Sequence, residues 1–301
     1  MNLYVIIYYI AYAPPGTGKS MLAKRVPGIL PPLQVEEALE SSKIHSVMGL
    51  LPANVPFLTE RPYRAPHHTI SDAGLLGGQT IPTPGEISLA HNGVLFMDEL
   101  PEFKRNVLEV LRQPLENGEV TISRAAGTFT FPAEFMLIAA MNPCPCGHYG
   151  GAQRVCRCGP HKIQRYRSRI SGPLLDRIDI HVELNPLNED EMLKAPEGES
   201  SCKIRNRVIA AREIQNRRFA NTGIFCNAQM EPAQIQEFCK LDSESTTYLR
   251  HSIRELRLSA RAYDRILRVA RTIADIENRN DIISENIFEA VQYRDLDKKM
   301  W

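Results

Sequence analysis

The sequence lacks the features that mark secreted and membrane-spanning proteins. Seven cysteines among 301 residues do not indicate the disulfide scaffold of a small secreted domain. The apolar segment Leu3–Ala13 is too short to cross a bilayer, and it lacks the positive residues that precede the core of a signal peptide. We therefore predict a cytoplasmic protein with no membrane contact, in which this segment forms the first buried strand.

An excess of charge of either sign is also absent. The 36 Lys and Arg residues and the 35 Asp and Glu residues give a formal net charge of +1, so the overall charge does not point to nucleic acid. Two stretches, 154–177 and 205–218, are locally basic and permit such a partner. A hydrophobic fraction of 43% and a charged fraction of 24% are typical of soluble globular proteins.

The order of the predicted elements in the first part of the chain indicates an α/β fold. Strands that alternate with helices form a parallel sheet, and a hairpin is predicted at 119–131, where apolar and polar residues alternate. Residues 52–85 are rich in Pro, Gly and His and are predicted to be irregular. The predicted strands are 3–12, 93–98, 135–141 and 178–184, and the predicted helices between them are 19–26, 35–48 and 104–117.

Strand signals stop near residue 186. We therefore predict two domains, an α/β core at 1–185 with a cysteine-rich loop at 142–161, and a small all-helical domain at 186–301. The helices predicted in the second domain are 201–219, 232–240, 243–255, 259–277 and 284–293.

A phosphate-binding loop is predicted at residues 13–20, Ala-Pro-Pro-Gly-Thr-Gly-Lys-Ser. Glycines let backbone N–H groups surround a phosphate, Lys19 adds a positive charge, and the Ser20 hydroxyl can ligate Mg²⁺. The helix that follows presents its positive end to the same anion. Ala13 stands where the motif has glycine, so the first turn has lost its most permissive residue. The predicted nucleotide-binding residues are Pro15, Gly16, Thr17, Gly18, Lys19, Ser20 and Met21.

Polar residues at the ends of two predicted strands belong to the same chemistry. Asp98 and Glu99 close the strand at 93–98, where Asp98 can support Mg²⁺ and Glu99 can polarise the attacking water. The alternative is that the two acids only cap the next helix. Asn142 ends a later strand and can hold the same water or contact the γ-phosphate; the alternative is a turn residue before Pro143.

Two arginines are candidates for contacts with the γ-phosphate. Arg177 stands just before a predicted strand, beside Asp176 and Asp179, which fits an arginine finger acting on a neighbouring subunit. A local pair between arginine and aspartate is the alternative. Arg261 begins a helix of the second domain and can reach the phosphate from there, unless it only faces solvent.

Two C-x-C pairs flank a short glycine-rich loop. Four thiolates at this spacing can form a tetrahedral zinc site, and His148 and His161 are further candidate ligands. Reduced loop cysteines and a redox disulfide are the alternatives. The four cysteines are Cys144, Cys146, Cys156 and Cys158.

The adjacent histidines His67 and His68 follow Pro66 in the irregular segment. Such a pair can bind a metal or a nucleotide. No acidic partner is evident nearby in the sequence, so a structural or interface role is the favoured interpretation.

Five segments carry a resemblance to a known family: 14–20, 64–71, 84–103, 142–147 and 258–275. On these residues the chain resembles the AAA+ ATPases related to the ATPase subunit of magnesium chelatase, in particular the ComM/YifB branch. The resemblance extends over nearly the whole chain and implies an AAA+ P-loop core with a helical lid. Relatives in this branch usually carry an N-terminal Lon-protease-like domain that is not recognisable here, so we expect a truncated member.

The resemblance also implies roles for the candidate residues. Residues 14–20 would form Walker A, Asp98 and Glu99 Walker B, Asn142 sensor 1, Arg177 the arginine finger and Arg261 sensor 2. It implies hexameric rings that bind ATP and Mg²⁺ and hydrolyse ATP where subunits meet.

The ComM/YifB branch further implies work on DNA, as a branch-migration helicase in recombination or natural transformation. The hairpin at 119–131, with Arg124, would then be a pore element that grips DNA, or else a structural hairpin. Two other functions remain open: an ATPase subunit of a metal chelatase acting on a protein partner, and a catalytically weak ATP-binding scaffold, which Ala13 permits. The cysteine cluster favours the ComM/YifB branch.

Overall fold

A computed structural model describes residues 9–12, 14–78, 82–124, 127–150, 154–184, 198–220, 222–256 and 258–294. Ala13 and most of the predicted first strand lie outside these residues. The boundary predicted between residues 185 and 186 also lies outside them and stays a prediction.

The core is built on a five-stranded sheet in the order β2-β3-β6-β1-β7. Every neighbouring pair in it is parallel, which confirms the predicted α/β fold. Its strands are β1 (Tyr9–Tyr12), β2 (Tyr63–Arg64), β3 (Val94–Met97), β6 (Met136–Met141) and β7 (Ile180–Glu183). The predicted hairpin is present as a separate antiparallel pair, β4 (Glu119–Arg124) and β5 (Gly127–Pro132).

Strand register brings the functional segments to one edge of the sheet. Tyr12 of β1 pairs with Met141 of β6, and Met97 of β3 pairs with Ala139. Parallel strands all end at the same edge, where ligands of open α/β sheets bind. The segments that follow β1, β3 and β6 therefore leave the sheet side by side.

Helices cover the sheet and fill the core. All four residues of β3 are buried, as expected for a strand with both faces covered. The helices of the core are α1 (Lys19–Arg25), α2 (Val35–Val47), α3 (Asp72–Leu76), α4 (Glu86–Leu89), α5 (Arg105–Val110), α6 (Arg112–Asn117), α7 (Pro160–Arg167) and α8 (Gly172–Leu175).

Two predictions about these elements were wrong. The single helix expected at 104–117 is two helices that meet at Leu111, because Pro114 has no N–H to donate to the carbonyl of Val110. The segment 52–85 contains β2 and α3 rather than only irregular structure. A two-residue strand is too short to show the alternation that marks a strand in sequence.

Beyond residue 197, the described chain consists of helices and turns, which confirms the helical second region. The Ser259 hydroxyl caps α12 by accepting from the N–H of Ala262, and the stripe of Ile266, Ala270 and Ile273 packs into the core of this region. Its helices are α9 (Ser201–Arg218), α10 (Pro232–Phe238), α11 (Ser243–Leu256), α12 (Ala260–Ile276) and α13 (Ser284–Gln292).

The helical region is fixed to the sheet along β7. The N–H of His181 donates to the carbonyl of Tyr293 at 2.8 Å, and Arg265 of α12 pairs with Asp179, the residue just before β7. Burial, with a smaller contribution from Arg294, lowers the pKa of His181 well below its usual value.

Across the described residues, none of the helices has the length and apolar character needed to cross a membrane.

Candidate nucleotide-binding site

The predicted phosphate loop lies between β1 and α1 and is curled by its own contacts. Gly16 and Gly18 have φ angles of 83° and 80°, a backbone region that side chains disfavour. The hydroxyl of Thr17 donates to the carbonyl of Pro14 at 3.0 Å, and Lys19 Nζ donates to the same carbonyl at 2.8 Å. The loop is therefore shaped around the start of α1, where an anion is favoured.

Lys19 also contacts the end of β6. Its Nζ lies 3.2 Å from Asn142 Oδ1, so two residues far apart in sequence meet at the loop. Burial lowers the pKa of Lys19, and the nearby carboxylates of Asp98 and Glu99 oppose that shift. The ammonium group is thus partly desolvated beside a space for anions, where its charge acts more strongly than in water.

Ser20 and Asp98 form an oxygen-rich pair beside Lys19. The Ser20 hydroxyl donates to Asp98 Oδ2 at 2.7 Å, and the N–H of Glu99 donates to Asp98 Oδ1 at 2.9 Å. Hydroxyl and carboxylate oxygens are the donors that Mg²⁺ prefers, together with phosphate oxygens. The residues present therefore fit the predicted magnesium ion.

A cavity of about 400 Å³ unites these groups. It contains every residue predicted to bind the nucleotide or its metal. It also contains Lys19, Glu99 and Asn142, three of the five residues predicted to take part in catalysis; the other two are Arg177 and Arg261. The lining residues are Pro15, Gly16, Thr17, Gly18, Lys19, Ser20, Met21, Asp98, Glu99 and Asn142.

Glu99 is held in an unusual backbone conformation at the edge of this cavity. Its φ of 52° and ψ of 46° lie in the left-handed region, which non-glycine residues rarely adopt and which is frequent at active sites. The turn places Glu99 between the phosphate-loop cavity and a neighbouring one of about 330 Å³. Its carboxylate can therefore face either space.

His68 is a functional candidate that the sequence interpretation missed. Its Nδ1 lies 3.5 Å from Glu99 Oε2, so the histidine pair has an acidic partner in space that was not evident in the sequence. Both residues line the second cavity. The sequence signal was hidden because β2, which positions the histidines beside β3, is too short to be predicted.

If the site hydrolyses ATP, as the family resemblance implies, we expect His68→Ala to lower turnover by up to about fivefold, because a half-exposed polar contact contributes about 1 kcal/mol or less. The KM for Mg·ATP should not change, since His68 does not line the phosphate-loop cavity. Steady-state kinetics measure both. The matched control is His67→Ala, because that ring bonds Thr69 instead, at 2.9 Å. Equal kinetics for the two variants would rule out a special role for His68.

Arg177 and Arg261 lie together in a different cavity, of about 460 Å³, between the core and the helical region. Arg177 is 4% exposed and pairs with Glu116 rather than with a neighbouring aspartate. Arg261 is exposed, and its Nη2 lies 3.8 Å from the same carboxylate. Neither arginine lines the cavity of its own phosphate loop.

The four cysteines of the two C-x-C pairs meet in space. Cys144 Sγ lies 3.3 Å from Cys146 Sγ and 3.7 Å from Cys156 Sγ, and all four sulfurs lie within 4.8 Å of one another. All are free thiols. Hydrogen bonds, first from the backbone of His148 and then of Arg157, lower the pKa of Cys146 to about 6. The cluster can hold a metal ion; among the described residues, neither His148 nor His161 belongs to it.

Comparison with known proteins agrees with this architecture. The family model described as magnesium chelatase, subunit ChlI, matches residues 8–192. The model described as magnesium chelatase, subunit ChlI C-terminal, matches residues 198–294. The chain belongs to this AAA+ family. The resemblance stated from the sequence segments is thereby confirmed.

Individual relatives place the chain within the family. It is 49% identical over 287 residues to "Uncharacterized protein YifB" of Salmonella typhimurium, covering 95% of the chain and 55% of the relative. It is 46% identical over 282 residues to "Competence protein ComM" of Haemophilus influenzae, covering 93% of the chain and 54% of the relative. The "Magnesium-chelatase 67 kDa subunit" of Chlorobaculum tepidum is 26% identical over 155 residues, covering 50% of the chain and 21% of the relative. These values confirm the ComM/YifB branch of the family, and the chain spans about half the length of the YifB and ComM relatives.

Proposed function

We propose that the protein is a magnesium-dependent ATPase of the AAA+ type that works as an oligomeric ring. The observation that carries this proposal is the convergence of Lys19, Ser20, Asp98, Glu99 and Asn142 on one cavity. These residues come from three segments of the chain, and each supplies a group that phosphoryl transfer to water requires.

Each residue has a distinct role in the proposed reaction. Lys19 and the backbone of the phosphate loop bind the β- and γ-phosphates, which the partial burial of Lys19 strengthens. Ser20 and Asp98 would hold Mg²⁺, which, when bound, neutralises phosphate charge. Glu99 accepts a proton from the attacking water, and Asn142 orients that water or the γ-phosphate.

The neighbouring subunit completes the site. Arg177 lies outside the cavity of its own phosphate loop, as expected if it acts on the nucleotide of the next subunit in a ring. Arg261 lies beside Arg177, so we propose that it also contacts the neighbour's nucleotide rather than its own. A ring of six subunits is the assembly that the family resemblance implies.

We propose DNA as the substrate of the motor, in recombination or natural transformation. One relative is named a competence protein, and the chain offers basic surfaces that suit a phosphate backbone. The hairpin β4–β5 carries Arg124, which is exposed, at its end. A second surface around the cysteine cluster and α7 carries exposed cations: Arg154, Arg157, Lys162 and Arg165. An ATPase that acts on DNA works in the cytoplasm, where thiols stay reduced.

Single-stranded or branched DNA is expected to stimulate ATP turnover, and the half-saturating DNA concentration should rise steeply with salt. Arg124→Glu should raise that concentration. It should also reduce the slope of the logarithm of DNA affinity against the logarithm of salt concentration by about 1, the value for one phosphate contact. The control is Arg250→Glu, the same charge change at an exposed position of α11. ATPase activity that does not change when DNA is added would favour the alternative of a chelatase-like subunit acting on a protein. Very weak turnover under all conditions would favour a nucleotide-binding scaffold.

We also propose that the cysteine cluster binds zinc. Four Zn–S bonds of about 2.3 Å in a tetrahedron give S–S separations of about 3.8 Å. The separations of 3.3 to 3.7 Å between Cys144, Cys146 and Cys156 are close to that value and much longer than a disulfide bond of about 2.05 Å.

A further inference from the structure

The cysteine loop and the phosphate loop touch each other directly. A Cβ placed on Gly147 would lie 2.4 Å from Pro15 Cγ and 2.5 Å from Pro15 Cδ. Only a glycine fits so close to a proline ring, and the φ of 81° at Gly147 also favours glycine. Gly147 directly follows Cys146, so one turn of chain connects a thiol of the cluster with the phosphate loop.

The same loop contacts the nucleotide cavity at its other end. Asn142, which accepts from Lys19 Nζ at 3.2 Å, stands two residues before Cys144. The N–H of Gly147 donates to the carbonyl of Cys144 at 2.9 Å, which closes the turn between the two contacts. Residues 142–147 therefore support the phosphate loop at Lys19 and at Pro15.

The first cysteine pair of this loop is better anchored than the second. Arg167 donates to the carbonyl of Pro143 at 3.3 Å, and Cys144 is buried, but the second cysteine pair lies in a stretch of polar, largely exposed residues. A metal bound by four thiolates supplies folding free energy to such a segment. The metal would thus fix the position of Gly147 relative to Pro15.

We propose that the centre formed by Cys144, Cys146, Cys156 and Cys158, when loaded with zinc, positions the phosphate loop through Gly147 and Pro15, and thereby raises the affinity for nucleotide. This inference rests on the proposed zinc binding and ATP binding. When only a fraction of the protein holds the loop in the shape that binds nucleotide, the apparent affinity is reduced by that fraction. A loop that is already held in this shape avoids the reduction. The coupling is reciprocal, so bound nucleotide also raises the affinity for zinc.

The test compares zinc-loaded and chelator-stripped protein of the full chain, with zinc content measured by elemental analysis and the fold checked by circular dichroism. Stripping should weaken the binding of a fluorescent ATP analogue by about 5- to 150-fold, the usual range of coupling between two sites. It should also speed amide hydrogen exchange at residues 14–18, a readout that does not depend on nucleotide.

Gly147→Ala separates the contact from the metal. This variant keeps all four cysteines and should keep its zinc, yet it should lose nucleotide affinity, because the new methyl group displaces Pro15. The matched control is Gly150→Ala: Gly150 has a similar φ of 77°, but a Cβ there has no neighbour within 4 Å among the described residues. An equal loss of nucleotide affinity in the two variants would show that backbone strain, not the contact with Pro15, is responsible.

The outcomes separate the inference from the function on which it rests. Zinc-loaded protein whose nucleotide affinity and amide exchange do not respond to stripping or to Gly147→Ala overturns the coupling and leaves the ATPase proposal intact. Purified protein that holds no stoichiometric metal also overturns it. Exchange at 14–18 that responds to zinc in a protein that binds no ATP supports the positioning of the phosphate loop by zinc, but overturns both the effect on nucleotide affinity and the proposed function.

Discussion

Replacing Arg177 by alanine is expected to lower ATP turnover by about 10³- to 10⁵-fold, the effect of an arginine finger on phosphoryl transfer. Binding of Mg·ATP to a single subunit should change little, because Arg177 does not line the phosphate-loop cavity of its own chain. Turnover is measured at a protein concentration at which rings form, and assembly is checked by light scattering.

The surroundings of Arg177 shape this expectation. In the structure its guanidinium group pairs with Glu116 and donates to the carbonyl of Pro173. A phosphate of the neighbouring subunit would have to compete with Glu116 for the same donors. Arginine forms strong, often bidentate charge-assisted bonds with carboxylate and with phosphate, so a phosphate can replace Glu116 as the partner of Arg177.

A control variant measures what the loss of an arginine side chain does when the residue is not a candidate finger. Arg169→Ala removes a half-exposed arginine that pairs with Glu102 at 2.8 Å, and we expect it to retain turnover close to that of the unaltered protein. If Arg177→Ala retains assembly-dependent turnover at the same level, the finger assignment is wrong.

The second large effect is expected from Glu99→Gln, which should lower turnover by about 10²- to 10⁴-fold, the usual contribution of a general base. The amide keeps the size of the side chain but cannot accept the proton of the attacking water. The affinity for Mg·ATP should be retained, because Lys19, Ser20 and Asp98 are unaltered. Single-turnover kinetics and equilibrium binding of nucleotide measure the two quantities separately.

Glu102→Gln is the control for this substitution. Glu102 lies three residues later, outside the phosphate-loop cavity, and pairs with Arg169, so its loss should leave turnover nearly unchanged. Persistent turnover in Glu99→Gln would refute the role of Glu99 as base and would direct attention to another group near the attacking water.

Mixing the two inactive variants tests whether the sites are shared. In a mixed ring, a subunit with Arg177→Ala and intact Glu99 can sit beside one with Glu99→Gln and intact Arg177, and the interface between them holds a complete site. Mixing should therefore restore part of the activity. If Arg177 served its own subunit, no complete site would form and mixing would restore nothing.

Local patterns in the sequence were sufficient for much of the fold and site. The phosphate loop, the pair Asp98 and Glu99, and Asn142 each lie in a short segment whose residue types carry the chemistry. Parallel strands end at one edge of a sheet, so the meeting of these segments followed from their order along the chain. Their catalytic roles stay predictions until the variants are measured.

Some errors came from elements without a clear local signal. The two-residue β2 shows no alternation, so the approach of His68 to Glu99 was not foreseen. The break between α5 and α6 was also missed, although Pro114 provides a local reason for it.

The sequence by itself determined what is local: the binding motif, the alternation of strands and helices, and the two C-x-C pairs. Tertiary structure alone decided which distant residues meet away from the ends of the strands. Arg177 and Arg261 share Glu116, and Gly147 lies against Pro15, because side-chain contacts depend on how whole elements pack. The phosphate loop thereby contacts the loop of the cysteine cluster, more than a hundred residues away, a relation that no local pattern encodes.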